Sequence, residues 1–372
     1  MAVAIKSLTE EYIPAVKEFN ARLTAASVSF DLRFPESSVS DWLPKIEQRR
    51  LYQENFIVLE DGVVRGGYRL KRQDFSFRGK IFAVDCFHWP MSEAVINKAY
   101  SWVFMLMLRH AQKNQPFLYS LGMAGSAETF IPRILKAAGW NVRTVPFFFK
   151  VNRPRRFLCE IQAIRKTVLR RWLLDSVAWT GIGALAIRSI QGVRTMGRRT
   201  REEAGRVRGF AGWADELWNR CNDRYSMIAV RNSESLNILY PAANERFLSY
   251  KVSRGNKILG WAVMLDTQMR SNKYFGNMRV GTVLDCLAQP EDAGALVRAA
   301  TRVLEERGVD VIVSNQSQDH WCSAFRETGF FRGPSNFSFG VSRDLSNLLS
   351  PFESVASQAH MTRGDGEGPL QL

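Results

Sequence analysis

The chain has 372 residues, a formal net charge of +15, 46% hydrophobic residues and 12% aromatic residues. Its length exceeds what one hydrophobic core usually supports, and its composition excludes an intrinsically disordered chain, so two globular domains are expected. No run of 18 uninterrupted apolar residues occurs, and the N-terminus lacks the apolar stretch of a secretory signal. We expect a cytoplasmic protein, with a place at the surface of the inner membrane as the alternative.

The first half of the sequence predicts a leading helix and then a β-hairpin. Apolar residues from Phe56 to Leu59 run into the turn Glu60-Asp61-Gly62, and the chain returns through Gly66-Gly67-Tyr68-Arg69-Leu70. Alternating composition around a Gly-containing turn is typical of two antiparallel strands. The following predicted elements are a strand ending at Val84-Asp85-Cys86, a helix over Glu93 to Gln112, a strand over Phe117 to Leu121, a helix ending at Gly139-Trp140, and a strand over Thr144 to Val151.

A strongly basic connector follows. Between Val151 and Gly209 there are 14 Arg or Lys residues and four acidic residues, so this segment carries a net charge of +10. Residues 165–208 are expected to be mostly helical. Their apolar run from Ser176 to Ile187 would span about 18 Å as a helix, less than the bilayer core requires. The connector could pack between the two domains or lie on an anionic membrane surface, and transfer RNA is a further candidate partner for its charge.

The second half repeats the landmarks of the first. Leu248 to Val252 turn at Arg254-Gly255-Asn256 and return through Leu259 to Val263, and Leu284-Asp285-Cys286-x-x-x-Pro290 matches Val84-Asp85-Cys86-x-x-x-Pro90. A helix over Asp292 to Arg307, a strand over Val309 to Ser314, a helix ending at Gly329-Phe330 and a strand over Asn336 to Val341 complete the series. Internal duplication of one mixed α/β unit is therefore predicted. The predicted ranges are domains at 1–152 and 211–345, a basic helical connector at 153–210, and a disordered tail at 346–372.

This order of elements resembles the GNAT superfamily of N-acyltransferases. The resemblance covers about Ile5 to Val151 and Ala211 to Ser342, and it also rests on the glycine before an aromatic residue in each returning hairpin strand. It implies two tandem α/β domains with mixed sheets. It also implies that acetyl-CoA or another acyl-CoA lies in a V-shaped opening between the two central parallel strands, with its pyrophosphate at the start of the next helix.

Coenzyme-binding residues follow from the family motif Gln/Arg-x-x-Gly-x-Gly/Ala. In the second half, Gln289 and Gly294 match this motif, Asp292 replaces its first glycine, and Ala295 follows. The resemblance also implies that Asn315, just past the next strand, holds the coenzyme. The alternatives are a helix-capping role for Asp292 and a turn-forming role for Asn315. The corresponding segment of the first half, Cys86 to Glu93, contains no glycine.

Four side chains are candidates for the base that an amine requires before it attacks a thioester. Asp85 and Asp285 end the strands that border the predicted openings, and His88 and His320 lie nearby in sequence. Structural roles are the alternative for all four. Lys136 and Arg326 stand where many family members place a tyrosine that protonates the leaving thiolate. The five cysteines are widely spaced and have no partner at metal-ligand spacing, so we expect no metal.

The predicted function is transfer of an acyl group from acetyl-CoA or a related thioester to an amine of a small molecule or amino sugar. Two alternatives remain open. One is a relative of the peptidyl transferases that duplicate this fold and take an aminoacyl group from transfer RNA. The other is an inactive tandem protein that binds a ligand or a membrane-associated assembly in envelope polysaccharide production.

Overall fold

The computed structural model describes residues 2–26, 33–40, 42–123, 130–162, 182–195 and 202–366. The chain divides into two compact units, and each unit combines segments that are distant in sequence. The first unit consists of Met1–Phe75, Ile81–Arg143 and Ser338–Phe352. The second unit consists of Ser76–Lys80, Thr144–Phe337 and Glu353–Leu372. These units do not coincide with the ranges that the repeat predicted.

The described strands are β1 (Val3–Ser7), β2 (Tyr52–Glu60), β3 (Val63–Phe77), β4 (Lys80–Ser92), β5 (Leu118–Leu121), β6 (Asn141–Thr144), β7 (Phe147–Val151), β8 (Glu203–Arg206), β9 (Ile228–Ala229), β10 (Leu248–Arg254), β11 (Lys257–Gln268), β12 (Arg279–Ala288), β13 (Val311–Asn315), β14 (Phe331–Gly333) and β15 (Ser338–Val341). The described helices are α1 (Ile13–Ala25), α2 (Trp102–Asn114), α3 (Phe130–Ala137), α4 (Pro154–Glu160), α5 (Ile182–Thr195), α6 (Gly212–Cys221), α7 (Ser233–Leu239), α8 (Ala293–Glu306), α9 (Asp319–Glu327), α10 (Arg343–Leu348) and α11 (Phe352–Ala356). The presence of both helices and strands throughout the described chain confirms the α/β class.

The sheet of the first unit has the strand order β1-β2-β3-β4-β5-β15-β6. Its hairpin β2–β3 is antiparallel, as the turn residues predicted, and β4 and β5 are parallel. One face packs Tyr68 and Phe87 against Phe104 of α2, and the other packs Ile57 against Phe19 of α1. The sheet is therefore covered on both faces near its centre.

The sheet of the second unit has the strand order β14-β7-β13-β12-β11-β10-β8. The hairpin β10–β11 is again antiparallel, and the central strands β12 and β13 are parallel. A Cβ atom at Gly260 would lie 2.3 Å from the Leu287 carbonyl oxygen and 2.4 Å from Leu296 Cδ1 of α8. The glycine before Trp261 therefore lets α8 pack directly on this strand.

The two halves of the sequence repeat exchange their final strands. β7 ends the first half of the repeat, yet it lies between β13 and β14 in the second sheet. β15 ends the second half, yet it pairs with β5 of the first sheet, with Gly340 opposite Ser120. All four residues of β15 are buried. Each sheet is therefore completed by a strand from the other half of the sequence.

Three predicted segments differ from the structure: the helix predicted from Glu93, the basic connector and the C-terminal tail. The helix predicted from Glu93 begins only at Trp102, after two 3-10 turns, because β4 continues to Ser92. In the connector, 182–195 is helical but 203–206 forms β8, which pairs with β10; residues 163–181 and 196–201 lie outside the described part of the chain. No described helix is long and apolar enough to cross a bilayer.

The tail from residue 346 was predicted to be disordered, but its described residues, 346–366, are ordered. It contains α11 and a 3-10 turn at Arg363–Asp365 that has a capping box between Thr362 and Asp365. Ala359, His360, Met361 and Thr362 have no exposed surface. The polar and Gly-rich composition was misleading because these residues make their contacts with strands that are distant in sequence.

Candidate active site

The central parallel strands of the second unit separate as the resemblance implied. β12 and β13 pair only from Val280↔Val311 to Thr282↔Val313. On the other side of β12, the register with β11 shifts between Val263↔Asp285 and Met264↔Val283, which leaves Leu284 as an extra residue. Such a bulge bends a strand locally, although β12 stays paired with β11 as far as Gly260↔Ala288. A V-shaped opening therefore begins beyond Thr282.

The chain's own C-terminal segment lies across this opening. The ring of His360 stacks between Tyr225 and Trp321, and its Nε2 is 2.7 Å from the Cys286 carbonyl oxygen. The Tyr225 hydroxyl donates to the Ala288 carbonyl oxygen at 2.5 Å. The carbonyl groups of Cys286 and Ala288 lie on β12 beyond its last residue paired with β13. Both are therefore hydrogen-bonded to side chains of this same chain.

The same segment is also bound to the end of β13. Ser317 Oγ accepts a hydrogen bond from the Met361 amide at 2.8 Å and donates to the Ala359 carbonyl. Arg363 Nε donates to Asn315 Oδ1 at 2.8 Å. Asn315, a predicted coenzyme ligand, therefore binds Arg363 in this structure.

Asp285 lies in a fully buried polar network. Its Oδ2 is 2.9 Å from Arg231 Nε and accepts a hydrogen bond from the Tyr240 hydroxyl at 2.6 Å, while its Oδ1 accepts from Thr362 Oγ1 at 3.0 Å. Arg231 also pairs with Asp365. Burial and the Asp285 carboxylate raise the pKa of Tyr240 well above its usual range. Since every partner of Asp285 is structural and its side chain is unexposed, the geometry favours the structural alternative for this residue.

Sequence reasoning missed most of this network. Arg231, Tyr240 and Asp365 carried no motif, and His360 stood in a segment predicted to be disordered. The one local signal was Thr362-x-x-Asp365, which is a capping pattern and indicates an ordered turn.

Of the other predicted coenzyme residues, Asp292, Gly294 and Ala295 line a cleft of about 530 Å³, whereas Gln289 is not among its lining residues. Gln289 precedes a 3-10 turn, Pro290–Asp292, which leads into α8. The cleft is lined by Arg254, Pro290, Glu291, Asp292, Gly294, Ala295, Arg298, His320, Ser323, Ala324 and Glu327. The structure therefore brings Asp292, Gly294, Ala295 and His320 together at the start of α8.

Asp292 does not cap this helix, contrary to the simpler alternative. Its side chain makes no capping hydrogen bond and lies 3.4 Å from Lys257 Nζ. Gly294 faces open space, because a Cβ atom there would meet only Arg298 Nη1, at 3.4 Å. A phosphate group could therefore approach the helix start at Gly294, where the helix dipole favours negative charge.

The charges in the cleft are already partly balanced. Arg254 and Arg298 each place a guanidinium nitrogen 2.9 Å from Glu202 Oε1. Burial raises the pKa of Glu202, but the hydrogen bonds from Arg298 and Arg254 outweigh it and hold the pKa below its usual range. Glu291 pairs with Arg224 at 3.3 Å on the exposed rim. An anion in the cleft would compete with Glu202 for both arginines.

The first unit offers a different arrangement at the corresponding aspartate. Asp85 Oδ2 lies 2.7 Å from Arg72 Nη1, and Arg72 Nε donates to Glu54 at 2.8 Å. Burial raises the pKa of Asp85 to about 6 despite the attraction of Arg72. β4 continues to Ser92 and is followed by two 3-10 turns before α2 begins at Trp102, so the first unit has no helix start directly beyond its aspartate-bearing strand.

An acyl-CoA molecule fits the second unit only in part. Its phosphates match the cleft at the start of α8, with Gly294 giving access and Arg254 and Arg298 supplying positive charge. Its thioester end would need the opening, where His360 and Tyr225 hold the carbonyls of Cys286 and Ala288. A thioester placed there would compete with the C-terminal segment for these carbonyls.

Comparison with known proteins supports the fold. No protein-family model and no curated protein sequence matches the chain. Among solved structures, a GCN5-related N-acetyltransferase from Anabaena variabilis matches with a TM-score of 0.54 and 10% identity over 94% of this chain and 74% of that one. Saccharomyces cerevisiae N-myristoyltransferase with bound myristoyl-CoA matches with a TM-score of 0.52 and 11% identity, over 92% of this chain and 78% of that one. A probable N-acyltransferase from Enterococcus faecalis matches with a TM-score of 0.50 and 9% identity, over 94% of this chain and 75% of that one.

At these identities the comparisons establish the fold alone. The chain has the fold of the GCN5-related N-acetyltransferase superfamily.

Proposed function

We propose that the chain is an N-acyltransferase that uses acetyl-CoA or a related acyl-CoA to acylate an amine of a small molecule or amino sugar. The reaction is assigned to the second unit. The observation that carries this proposal is the cleft at the start of α8, which directly follows the strand that borders the opening. The start of this 14-residue helix, where a Cβ atom at the half-buried Gly294 would meet only Arg298, is a favourable site for phosphate.

His320, a base candidate of the sequence, is exposed on the first turn of α9 and lines the cleft at the start of α8. In the proposed reaction it would therefore lie beside the donor phosphates, while the base has to lie at the opening that receives the thioester. Asp285 has no exposed surface and is held by Arg231. Asp85 belongs to the first unit, where its pKa of about 6 would allow proton exchange near neutral pH, but it has no role in the reaction proposed here.

Filling the cleft should abolish donor binding without disturbing the fold. Gly294→Trp places an indole beside Arg298, where the backbone leaves space. Isothermal titration with acetyl-CoA and with CoA should show binding to the wild type and an affinity at least about tenfold weaker for the variant. Gly212→Trp is the matched control, since a Cβ atom at Gly212 also meets nothing within 4 Å but lies outside the cleft. No binding of either ligand to the wild type would refute the proposal.

Loosening the C-terminal segment should strengthen donor binding. Ser317→Ala removes the two hydrogen bonds from Ser317 Oγ to Met361 and Ala359, each of which contributes about 0.5–1.5 kcal/mol. We expect acetyl-CoA to bind about tenfold more tightly to this variant in the same titration. Ser357→Ala, which removes only a local bond to Ser354, should leave the affinity unchanged. Equal affinities for all three proteins would mean that the segment does not compete with the donor.

A second candidate function is a catalytically inactive binding protein of this fold. The closed opening favours it, because His360, Tyr225 and Trp321 form a stacked and fully buried group. In that case acetyl-CoA would not bind even to Ser317→Ala.

A further inference from the structure

Three polar side chains of the first unit are buried without hydrogen-bond partners. Gln53, Gln73 and His88 are 3% to 4% exposed. Both amide atoms of each glutamine and both ring nitrogens of His88 have no partner among the described residues. Proteins rarely bury such atoms unpaired, since they have lost their hydrogen bonds to water. The described residues supply no hydrogen-bond partner for these atoms.

The three side chains lie on the same face of the sheet. Gln53 on β2 stands opposite Lys71 on β3, and Gln73 follows Lys71 by two residues, so these side chains share one face. Tyr68 and Phe87 pack together on the opposite face, so His88, the next residue after Phe87 on β4, points to the same side as Lys71. Burial, and then the charges of Arg69 and Lys71, hold the pKa of His88 well below its usual range. His88 thus lies near these cations and is a neutral imidazole at neutral pH.

Two tryptophans flank this face. Lys71 Nζ lies 5.6 Å from the ring centroid of Trp42, and Arg69 Cζ lies 5.1 Å from that of Trp89. The indole nitrogen of Trp42 and the side-chain oxygen of Asn55 are also buried and unpaired among the described residues. We call Gln53, Asn55, Gln73, His88 and Trp42 the polar cluster.

The hydrogen-bonding groups of the polar cluster define the chemistry of their partner. Each glutamine amide both donates and accepts, a neutral imidazole has one donor and one acceptor, indole only donates, and the Asn55 oxygen only accepts. A simple anion cannot donate to the Gln53 and Asn55 oxygens, and a simple cation cannot accept from Trp42. A hydroxyl group does both. Several hydroxyls on one small molecule would satisfy the whole set.

We propose that the polar cluster is a binding site for a small hydroxyl-rich molecule of the sugar class. The site lies entirely within the first unit and is independent of acyl transfer. Water is the other molecule that donates and accepts, so the test must separate a sugar site from a site of permanently bound water.

Methionine in place of a glutamine keeps the side-chain length and removes the polar atoms. In the full chain without ligand, Gln53→Met and Gln73→Met should each raise the melting temperature by about 2–4 °C, because an unpaired buried amide is removed. Glucose, glucosamine and inositol are the probes, and isothermal titration should show that at least one binds the wild type and neither variant. Gln318→Met is the matched control: this buried amide accepts from the Trp321 amide at 3.0 Å, so its loss should lower the melting temperature.

Two results would overturn the proposal. If Gln53→Met and Gln73→Met lower the melting temperature as Gln318→Met does, their amides are paired in the free protein, by water or by the chain. If the variants raise it but none of the three probes binds the wild type, the ligand is not of the sugar class. Either result leaves the acyltransferase proposal untouched, because that proposal is tested by acetyl-CoA binding at the second unit.

Discussion

Replacing Arg231 with methionine is expected to lower the free energy of unfolding of the second unit by about 3–5 kcal/mol. The Arg231 guanidinium lies between two carboxylates, those of Asp285 and Asp365, and all three side chains are no more than 1% exposed. Without it, two buried negative charges lose their common counter-charge. They must then take up protons or draw water into the core, and both processes favour the unfolded state.

Chemical denaturation followed by tryptophan fluorescence measures this effect. Arg224→Met is the control, because Arg224 pairs with Glu291 where the side chains are 46% and 54% exposed. Exposed pairs contribute about 0–1 kcal/mol, so this variant should be close to the wild type. If the two variants lost similar stability, the buried network would not be what holds the C-terminal segment to the unit.

A fragment of residues 1–152 is expected not to fold, although it contains one complete copy of the sequence repeat. In the full chain β15 separates β5 from β6 in the first sheet. Ser342, just after β15, accepts from the Leu118 amide at 3.1 Å and donates to the Pro116 carbonyl at 2.6 Å. The fragment would leave β5 as an exposed edge and β6 without a partner, so it should show no cooperative thermal transition.

Restoring the missing strand provides the control. A protein in which residues 1–143 are joined by a flexible Gly/Ser linker to residues 338–352 contains every segment of the first unit. It should regain a cooperative transition by circular dichroism. Cooperative folding of 1–152 alone would show that the exchanged strand is dispensable.

Predictions from local pattern were the most successful ones. Both hairpins form, with Gly62 and Gly255 at positive φ in their turns, as the turn residues indicated. Gly139 and Gly329 end helices α3 and α9 at positive φ, where glycine is favoured. Each of these features depends on residues within a few positions of one another, and such interactions are visible in a single sequence.

Predictions that required a partner at a distance were less successful. The position of β15 could not be predicted, since a short apolar strand fits either sheet equally well and only the pairing with β5 selects one. The order of the C-terminal segment was hidden for the same reason: Ala359 to Thr362 form few contacts among themselves and are held by Ser317, Cys286 and Asp285. Asp285 was recognised as a special position, but its buried ion pair with Arg231 decides its role.

The sequence by itself determined the repeated α/β units, their hairpins, the strand that carries Asp285 and the helix start at Gly294. Periodicity, turn chemistry and helix signals arise from neighbours along the chain, so they are present before any tertiary contact forms. Only the tertiary structure decided which sheet each final strand completes and what lies in the opening between β12 and β13. The reason is that backbone pairing is almost independent of side-chain identity, so the choice between partners rests on burial and on ion pairs between distant residues.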